Sequence, residues 1–216
     1  MSINREELTS TFLKMRDLFV ADPTNAVRSK SFITAFQDYC EYELRARNLE
    51  VNGFHIEKEW KIEVERGRVE ADVGIFDKDN QPVLIVDVRS QMSSLGKNFN
   101  NYIRMKAGEV ESVHKKYPNC VDGLVYIHPA GDLKTNGNIN PVGVFNYSNA
   151  VKQLGLLSGR KDANGPASLF EQVAYCIIDF NSPAPKLSDI HDVLDLQLEN
   201  FFDNLADTLK ERTNID

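Results

Sequence analysis

The sequence predicts an α/β fold in which a mixed sheet of four or five strands has helices on both faces, within a single domain, residues 1–216. Segments with helical apolar spacing alternate along the chain with short apolar runs that are typical of strands. Two of these runs, residues 69–76 and 82–89, are separated only by a polar turn and predict an antiparallel hairpin. A third run, residues 121–128, follows a helical segment of the length that a parallel crossover needs.

Helices are predicted near both ends of the chain and on either side of the hairpin. Residues 4–20 begin with Asn4 and, three residues later, Glu7, which is the spacing of a capping box. The other predicted helices span residues 31–48, 96–117 and 188–212. Further strands are predicted at residues 51–65 and 173–180.

The predicted hairpin carries the candidate site. Its first strand alternates apolar residues with Glu70 and Asp72, and Asp87 interrupts the apolar run of its second strand. Because side chains alternate between the faces of a strand, Asp87 and Arg89 project to one side, and so do the two acids of the first strand. Two acids and one base are therefore expected to converge. A buried acid such as Asp87 requires a compensating cation or hydrogen bonds.

Two interpretations of these acids remain open on spacing alone. An oxygen-only ligand set, with no His or Cys nearby, suits Mg²⁺ or Mn²⁺ and not zinc. Alternatively, the acids are solvated on a surface hairpin or paired with Arg66, Arg68 and Arg89. Structural ion pairs imitate active sites, so the hairpin pattern favours neither interpretation.

The segment after the hairpin favours binding of phosphate groups. No acid occurs from Val88 to Gly108. The basic residues of this interval are Arg89, Lys97, Arg104 and Lys106. Hydroxyl and amide side chains cluster there at Ser93, Ser94, Asn98 and Asn100. Such a surface suits the oxygen atoms of a nucleic-acid backbone.

The run from Asp87 to Asn101 resembles the PD-(D/E)XK nuclease superfamily, and in particular the XhoI-like type II restriction endonucleases. In that family the corresponding run is Glu-x-Lys-Ser-Gln, then a glycine and Asn-Asn-Phe-Asn-Asn. Asp72 matches the first metal-binding acid, Asp87 the second, and Arg89 the catalytic lysine. The other matching residues are Ser90, Gln91, Gly96, Asn98, Phe99, Asn100 and Asn101.

The resemblance implies a restriction-endonuclease-like fold and Mg²⁺-dependent hydrolysis of DNA, with Mn²⁺ as a substitute. The implied metal ligands are Asp72, Asp87 and the carbonyl of Val88, and Glu70 and Glu41 are candidate additional acids. The residues expected to contact DNA are Ser90, Gln91, Ser93, Ser94, Lys97, Asn98, Asn100, Asn101, Arg104 and Lys106. The resemblance implies double-stranded DNA and a second copy of the chain, in a homodimer, as partners. A companion methyltransferase is a further partner that such enzymes can have.

The sequence departs from the family in two places. Tyr102 follows the asparagines where the family usually has arginine, and Arg89 stands where the lysine belongs. Arginine holds its proton at ordinary pH, so Arg89 is expected to stabilise charge and not to act as a base. A lysine from the following helix, Lys97 or Lys106, is the alternative source of positive charge. The strand favours Arg89, which lies two residues from Asp87 on the same face.

Arg89 also supports a function of another class. In this alternative the chain is a nuclease-fold protein that binds DNA or a partner protein without cutting. The acids at positions 72 and 87 argue against it, because negative charge next to phosphate weakens binding. The formal net charge of −7 does not exclude DNA. Eight acids and two bases lie in residues 187–216, which leaves the rest of the chain near neutral.

Two segments outside the hairpin region have further predicted roles. Residues 129–168 form a loop-rich insertion, of the kind in which restriction enzymes carry target-reading loops. The apolar stripe of helix 188–212 is expected to close the core or to pair with a second subunit. His114 and His128 have no recognisable partner and are interpreted as ordinary polar histidines. Three isolated cysteines and the lack of a signal-like or membrane-length apolar run predict a cytoplasmic protein.

Overall fold

The computed structural model describes residues 1–23, 26, 30–51, 53–65, 67–135, 138–140, 142–187 and 193–214. Its helices are α1 (Arg5–Ala21), α2 (Ser31–Ala46), α3 (Leu95–Lys116), α4 (Tyr147–Gly155) and α5 (Phe201–Thr213). Its strands are β1 (His55–Val64), β2 (Gly67–Phe76), β3 (Pro82–Ser90), β4 (Val121–Pro129), β5 (Leu133–Thr135), β6 (Asn138–Asn140) and β7 (Gln172–Ile178).

Five strands form one mixed sheet in the order β1-β2-β3-β4-β7, and β5 pairs with β6 in a separate hairpin. The pairs β1–β2 and β2–β3 are antiparallel, because tight turns connect them, whereas β3–β4 and β4–β7 are parallel. The predicted hairpin therefore forms, with Val73 opposite Val86. Asp77 stabilises its turn by accepting the amide protons of Asp79 and Gln81. The α/β class with a mixed sheet is confirmed.

Helices cover both faces of the sheet. The alternating side chains of β4 divide between two apolar clusters, so that Val125 and Ile127 pack with α1, α2 and α5, while Leu124 and Tyr126 pack with α3 and α4. Every residue of β4 is buried. A strand that is buried on both faces lies at the centre of the fold, which positions the neighbouring β3 and its acid well inside the protein.

The structure refines two predictions at the ends of helices. Asn4 caps α1 by accepting the amide protons of Glu6 and Glu7, but the amide of Asn4 itself donates to Glu43 of α2 and not to Glu7. The last helix is shorter than predicted, because the stretch before Phe201 forms two short 3-10 turns; positions 188–192 lie outside the described residues. Its apolar stripe packs within the chain. No helix in the described ranges is long and apolar enough to span a membrane.

Gly123 allows α5 to approach the centre of the sheet. A Cβ atom at this position would lie 2.6 Å from Cδ1 of Leu205 and 2.7 Å from Cζ of Phe201, closer than packed carbon atoms tolerate. Gly123→Ala is expected to destabilise the protein by about 1–3 kcal/mol, the usual cost of overpacking a core. Urea denaturation measures the change.

Gly108 provides the matched control for this substitution. It lies within α3, and a Cβ atom there would meet no atom within 4 Å. Gly108→Ala is expected to stabilise the protein by about 0.5–1 kcal/mol, because alanine loses less backbone entropy in a helix. Equal effects of the two substitutions would contradict the close packing of α5 on β4.

Candidate active site

Asp72 bridges β2, β3 and α2. The ladder between β2 and β3 stops at Val73 and Val86, and the carboxylate of Asp72 accepts the next available amide proton, that of Val88, at 2.7 Å. Its other oxygen accepts a hydrogen bond from Nε2 of Gln37 at 2.6 Å. Burial and the neighbouring charge of Asp87 raise the pKa of Asp72 to about 6. The two carboxylates are therefore close enough to oppose each other's ionisation, as the hairpin pattern predicts.

Asp87 is almost fully buried, and its ion-pair partner is Lys106 from α3. Nζ of Lys106 lies 2.9 Å from Oδ2 of Asp87 and 2.7 Å from Glu109. Burial alone would lower the pKa of Lys106, but the two carboxylates outweigh this effect and raise the pKa above its ordinary value. The ammonium is thus charged at neutral pH. The second oxygen of Asp87, Oδ1, is buried without a hydrogen-bond partner among the described residues.

Arg89 contacts an aromatic ring and forms no ion pair with an acid of the described residues. Its guanidinium carbon lies 4.1 Å from the centroid of the Tyr102 ring, a cation–π contact. No carboxylate in the described part of the chain forms an ion pair with Arg89, and its Nε atom is buried without a partner. The positive charge beside Asp87 is therefore that of Lys106, although the strand pattern favours Arg89.

A cleft of about 470 Å³ opens next to these residues. Its floor is the end of β3 with the loop that follows, and its walls are the beginnings of α2 and α3. It is lined by the predicted catalytic arginine, Arg89, and by five of the predicted DNA contacts: Ser90, Gln91, Ser93, Ser94 and Asn98. Tyr102 completes one wall. No acid of the described residues lines the cleft, and the polar groups that they contribute are amides, hydroxyls and cations.

The remaining predicted residues lie apart from the acid pair. Four of them are exposed along α3: Lys97, Asn100, Asn101 and Arg104. The exposed Glu70 pairs with Lys30, and Glu41 pairs with Arg45 and Lys58. Neither acid therefore contributes a free carboxylate to the site.

Gln91, one of the predicted DNA contacts, forms hydrogen bonds within the protein. Its side-chain amide is buried and donates to the carbonyl groups of Ser94 and Leu95. These bonds fix the turn that leads from β3 into α3. Gln91 therefore supports the turn that forms the floor of the cleft.

Sequence reasoning missed Gln37 and Glu109 as members of the site. Gln37 is 2% exposed, although it is polar and lies on the apolar side of α2. A polar residue within an apolar helical stripe is the signal that identifies it. Glu109 follows Lys106 by three residues, a helical spacing that places the two side chains together.

A second buried polar cluster joins α3, β4, the loop before β7 and α5. Nε2 of His114 lies 2.6 Å from Asp122 and 3.6 Å from Glu171. Arg160 and Arg212 each lie 2.7 Å from Oε1 of Glu171, and Glu171 accepts the amide proton of Asp122. The expectation that His114 has no partner was wrong: Asp122 lies on the strand that follows α3, and Glu171 lies in the loop before β7, which is remote in sequence.

The charges of this cluster favour an ion network over a metal site. The three carboxylate and imidazole groups are close enough to hold an ion. Burial lowers the pKa of His114, but Asp122 and Glu171 outweigh that effect and raise it to about 9. Its Nδ1 lies 2.9 Å from the carbonyl oxygen of Ala167, which only accepts, so this nitrogen carries a proton. A metal would have to displace the second imidazole proton beside two guanidinium groups, which is electrostatically unfavourable.

His128 is fully buried and neutral. Its Nδ1 lies 2.7 Å from the hydroxyl group of Tyr175. Burial lowers the pKa of His128 to about 3. The surrounding rings of Phe99, Tyr126 and Phe145 pack against it, so this histidine belongs to the core.

No protein-family model matches the chain, and comparisons with curated proteins and with solved structures likewise gave no match.

Proposed function

We propose that this chain is a Mg²⁺-dependent endonuclease that hydrolyses phosphodiester bonds in DNA, as the resemblance to the XhoI-like type II restriction endonucleases implies. The observation that carries the proposal is the interacting pair of carboxylates formed by the half-buried Asp72 and the buried Asp87. One oxygen of Asp87 has no donor among the described residues. A buried carboxylate oxygen without a partner costs free energy, and a divalent cation supplies that partner.

The donor set fits Mg²⁺. It offers two carboxylates and the backbone carbonyl of Val88, all of them oxygen atoms. When bound, the ion lowers the pKa of a water molecule and neutralises charge on the scissile phosphate. Mn²⁺, which accepts similar oxygen ligands, is expected to substitute for it.

The residues of the chain have separate roles in this proposal. Asp72 and Asp87 supply negative charge, and Gln37 orients Asp72 through its side-chain amide. Lys106 holds its ammonium beside Asp87, where it stabilises the charge that develops on the phosphate. Arg89 then binds the DNA strand in the neighbouring cleft and has no role at the reacting atoms.

A second candidate function is a DNA-binding or protein-binding protein that does not cut. The observation in its favour is the ion pair between Asp87 and Lys106, which already neutralises one of the acids. Such a pair joins β3 to α3 and compensates the buried charge of Asp87 without any metal. The two functions differ in whether DNA is cleaved when Mg²⁺ is added.

Asp87→Asn tests the proposed site. The variant is expected to abolish Mg²⁺-dependent nicking of supercoiled plasmid DNA, because asparagine removes a charged ligand while it keeps the shape of the side chain. Circular dichroism checks that the variant is folded. Asp79→Asn, which makes the same change in the exposed turn of the same hairpin, is expected to cleave at the wild-type rate. Undiminished nicking by Asp87→Asn would exclude this metal site.

A further inference from the structure

The size of the cleft beside the acid pair is that of a site for one nucleotide. Duplex DNA is usually read by a helix or ribbon that protrudes into its grooves, which are about 12 Å and 6 Å wide. The cleft is instead a recess of about 470 Å³, within the range of about 300–1,000 Å³ that is typical of small-molecule sites. Enzymes that act on an extruded nucleotide receive it in a recess of this kind.

The lining of the cleft offers groups that recognise a base and a phosphate. The guanidinium group of Arg89 lies over the ring of Tyr102, and guanidinium planes stack on unpaired bases. Among the described residues Arg89 has no acidic partner, so its charge remains available for a phosphate. Ser93 and Asn98 add a hydroxyl and an amide for the edges of a base.

An exposed apolar side chain lies on the segment that packs against the same wall. Val144 is fully exposed, with a relative accessibility of 104%. Its backbone oxygen would lie 3.6 Å from a Cβ atom on Gly96, in the first turn of α3. The amide of Leu95 in that turn donates to Val142. Proteins that deform DNA insert apolar side chains between base pairs, where they replace lost stacking.

We infer that the cleft receives one nucleotide drawn out of the DNA duplex next to the cleaved bond, and that Val144 fills the gap which this nucleotide leaves. The inference rests on the proposed function, because it takes DNA as the substrate. It adds a defined recognition state, in which the base stacks on the guanidinium group of Arg89, which in turn lies over the ring of Tyr102. DNA with an unpaired nucleotide should therefore bind more tightly than an intact duplex, since extrusion costs a few kcal/mol less there.

Fluorescence of 2-aminopurine measures extrusion directly, because this base brightens when it leaves the stack. The Asp87→Asn protein, in the absence of divalent metal, is titrated with two oligonucleotides. One is a fully paired duplex with 2-aminopurine opposite thymine, and the other carries 2-aminopurine at an unpaired position. If Asp87→Asn does not fold, the wild-type protein with EDTA replaces it. Binding is recorded in parallel by fluorescence anisotropy.

Variants of the cleft and of Val144 are expected to differ in their substrates. Tyr102→Ala should weaken binding of both oligonucleotides by about tenfold, the loss typical for one stacking side chain. Val144→Ser should reduce the signal on the paired duplex only, because an unpaired nucleotide needs no wedge. The controls are Tyr42→Ala and Leu156→Ser, which change an exposed tyrosine and an exposed leucine outside the cleft lining.

The outcomes test the nucleotide site and the nuclease proposal separately. Brightening on both oligonucleotides, with the expected pattern of variants, supports extrusion into the cleft. DNA that is bound or cleaved without brightening overturns the nucleotide site while the nuclease proposal stands. Brightening without any Mg²⁺-dependent cleavage by the wild-type protein leaves the site in place and overturns the nuclease. A protein that binds neither oligonucleotide overturns both proposals.

Discussion

Lys106→Met is expected to lower the single-turnover rate of DNA cleavage by on the order of a hundredfold or more, the usual loss when one preorganised charge is removed. The ammonium of Lys106 lies 2.9 Å from Asp87, so it is the cation closest to the proposed reaction. Methionine keeps the length and the apolar stem of the side chain. The rate is measured at saturating Mg²⁺ and at saturating enzyme, so that it reports the chemical step and not DNA affinity.

Two further variants separate the role of Lys106 from other effects. Arg89→Met should lose less than about tenfold under the same conditions, because its guanidinium stacks on Tyr102 and contributes to strand binding. Lys115→Met is the matched control, since Lys115 is an exposed lysine of the same helix that pairs with Glu111. A large loss of cleavage rate for Arg89→Met, together with a near wild-type rate for Lys106→Met, would contradict this assignment. It would show that Arg89 stabilises the charge on the phosphate.

Glu171→Ala is expected to reduce the free energy of unfolding by about 3–5 kcal/mol, the usual cost of breaking a buried ion pair from one side. Glu171 lies 2.7 Å from each of Arg160 and Arg212. Its removal leaves two buried guanidinium groups and the protonated His114 with only one carboxylate, that of Asp122. Urea denaturation of the variant and the wild-type protein measures the loss.

The control for this substitution is an exposed glutamate that also forms an ion pair. Glu111 pairs with Lys115 on the surface of α3, and its side chain is 42% exposed. Glu111→Ala is expected to cost about 0.3–0.5 kcal/mol, the value typical of such helical pairs. If Glu171→Ala were as mild as this control, the buried cluster would not hold α5 and the loop before β7 together.

The five strands of the main sheet and the acid pair could be predicted from the sequence, because both depend on local patterns, whereas the short β5–β6 hairpin in the loop-rich insertion was not predicted. Alternation placed Asp72 and Asp87 on neighbouring strands. The length of the last helix was predicted less well, because Leu194 and Leu198 have helical spacing and yet lie in short 3-10 turns. Apolar spacing alone does not distinguish one kind of helical turn from another.

The position of Lys106 depends on a reversal of the chain, which is why the strand pattern favoured Arg89. From Asp87 to Ser90 the strand advances about 10 Å, at roughly 3.3 Å per residue. Helix α3 then returns along the sheet and covers about 16 Å from Leu95 to Lys106, at 1.5 Å per residue. Lys106 therefore lies beside Asp87, although nineteen residues separate the two along the chain. His114 and Glu171 lie on opposite sides of the loop-rich insertion in the sequence. No sequence pattern predicts that they form a pair.

The topology of the sheet also bears on the order of events during folding. The strands β1, β2 and β3 are neighbours in sequence and in the sheet, so their closure requires only short loops. The parallel strands β4 and β7 join through long crossovers, which form slowly. Asp72 and Asp87 lie on strands that short loops join, whereas Lys106 lies on α3. We therefore expect the two acids to come together before their cation, and the site to become buried when α3 docks.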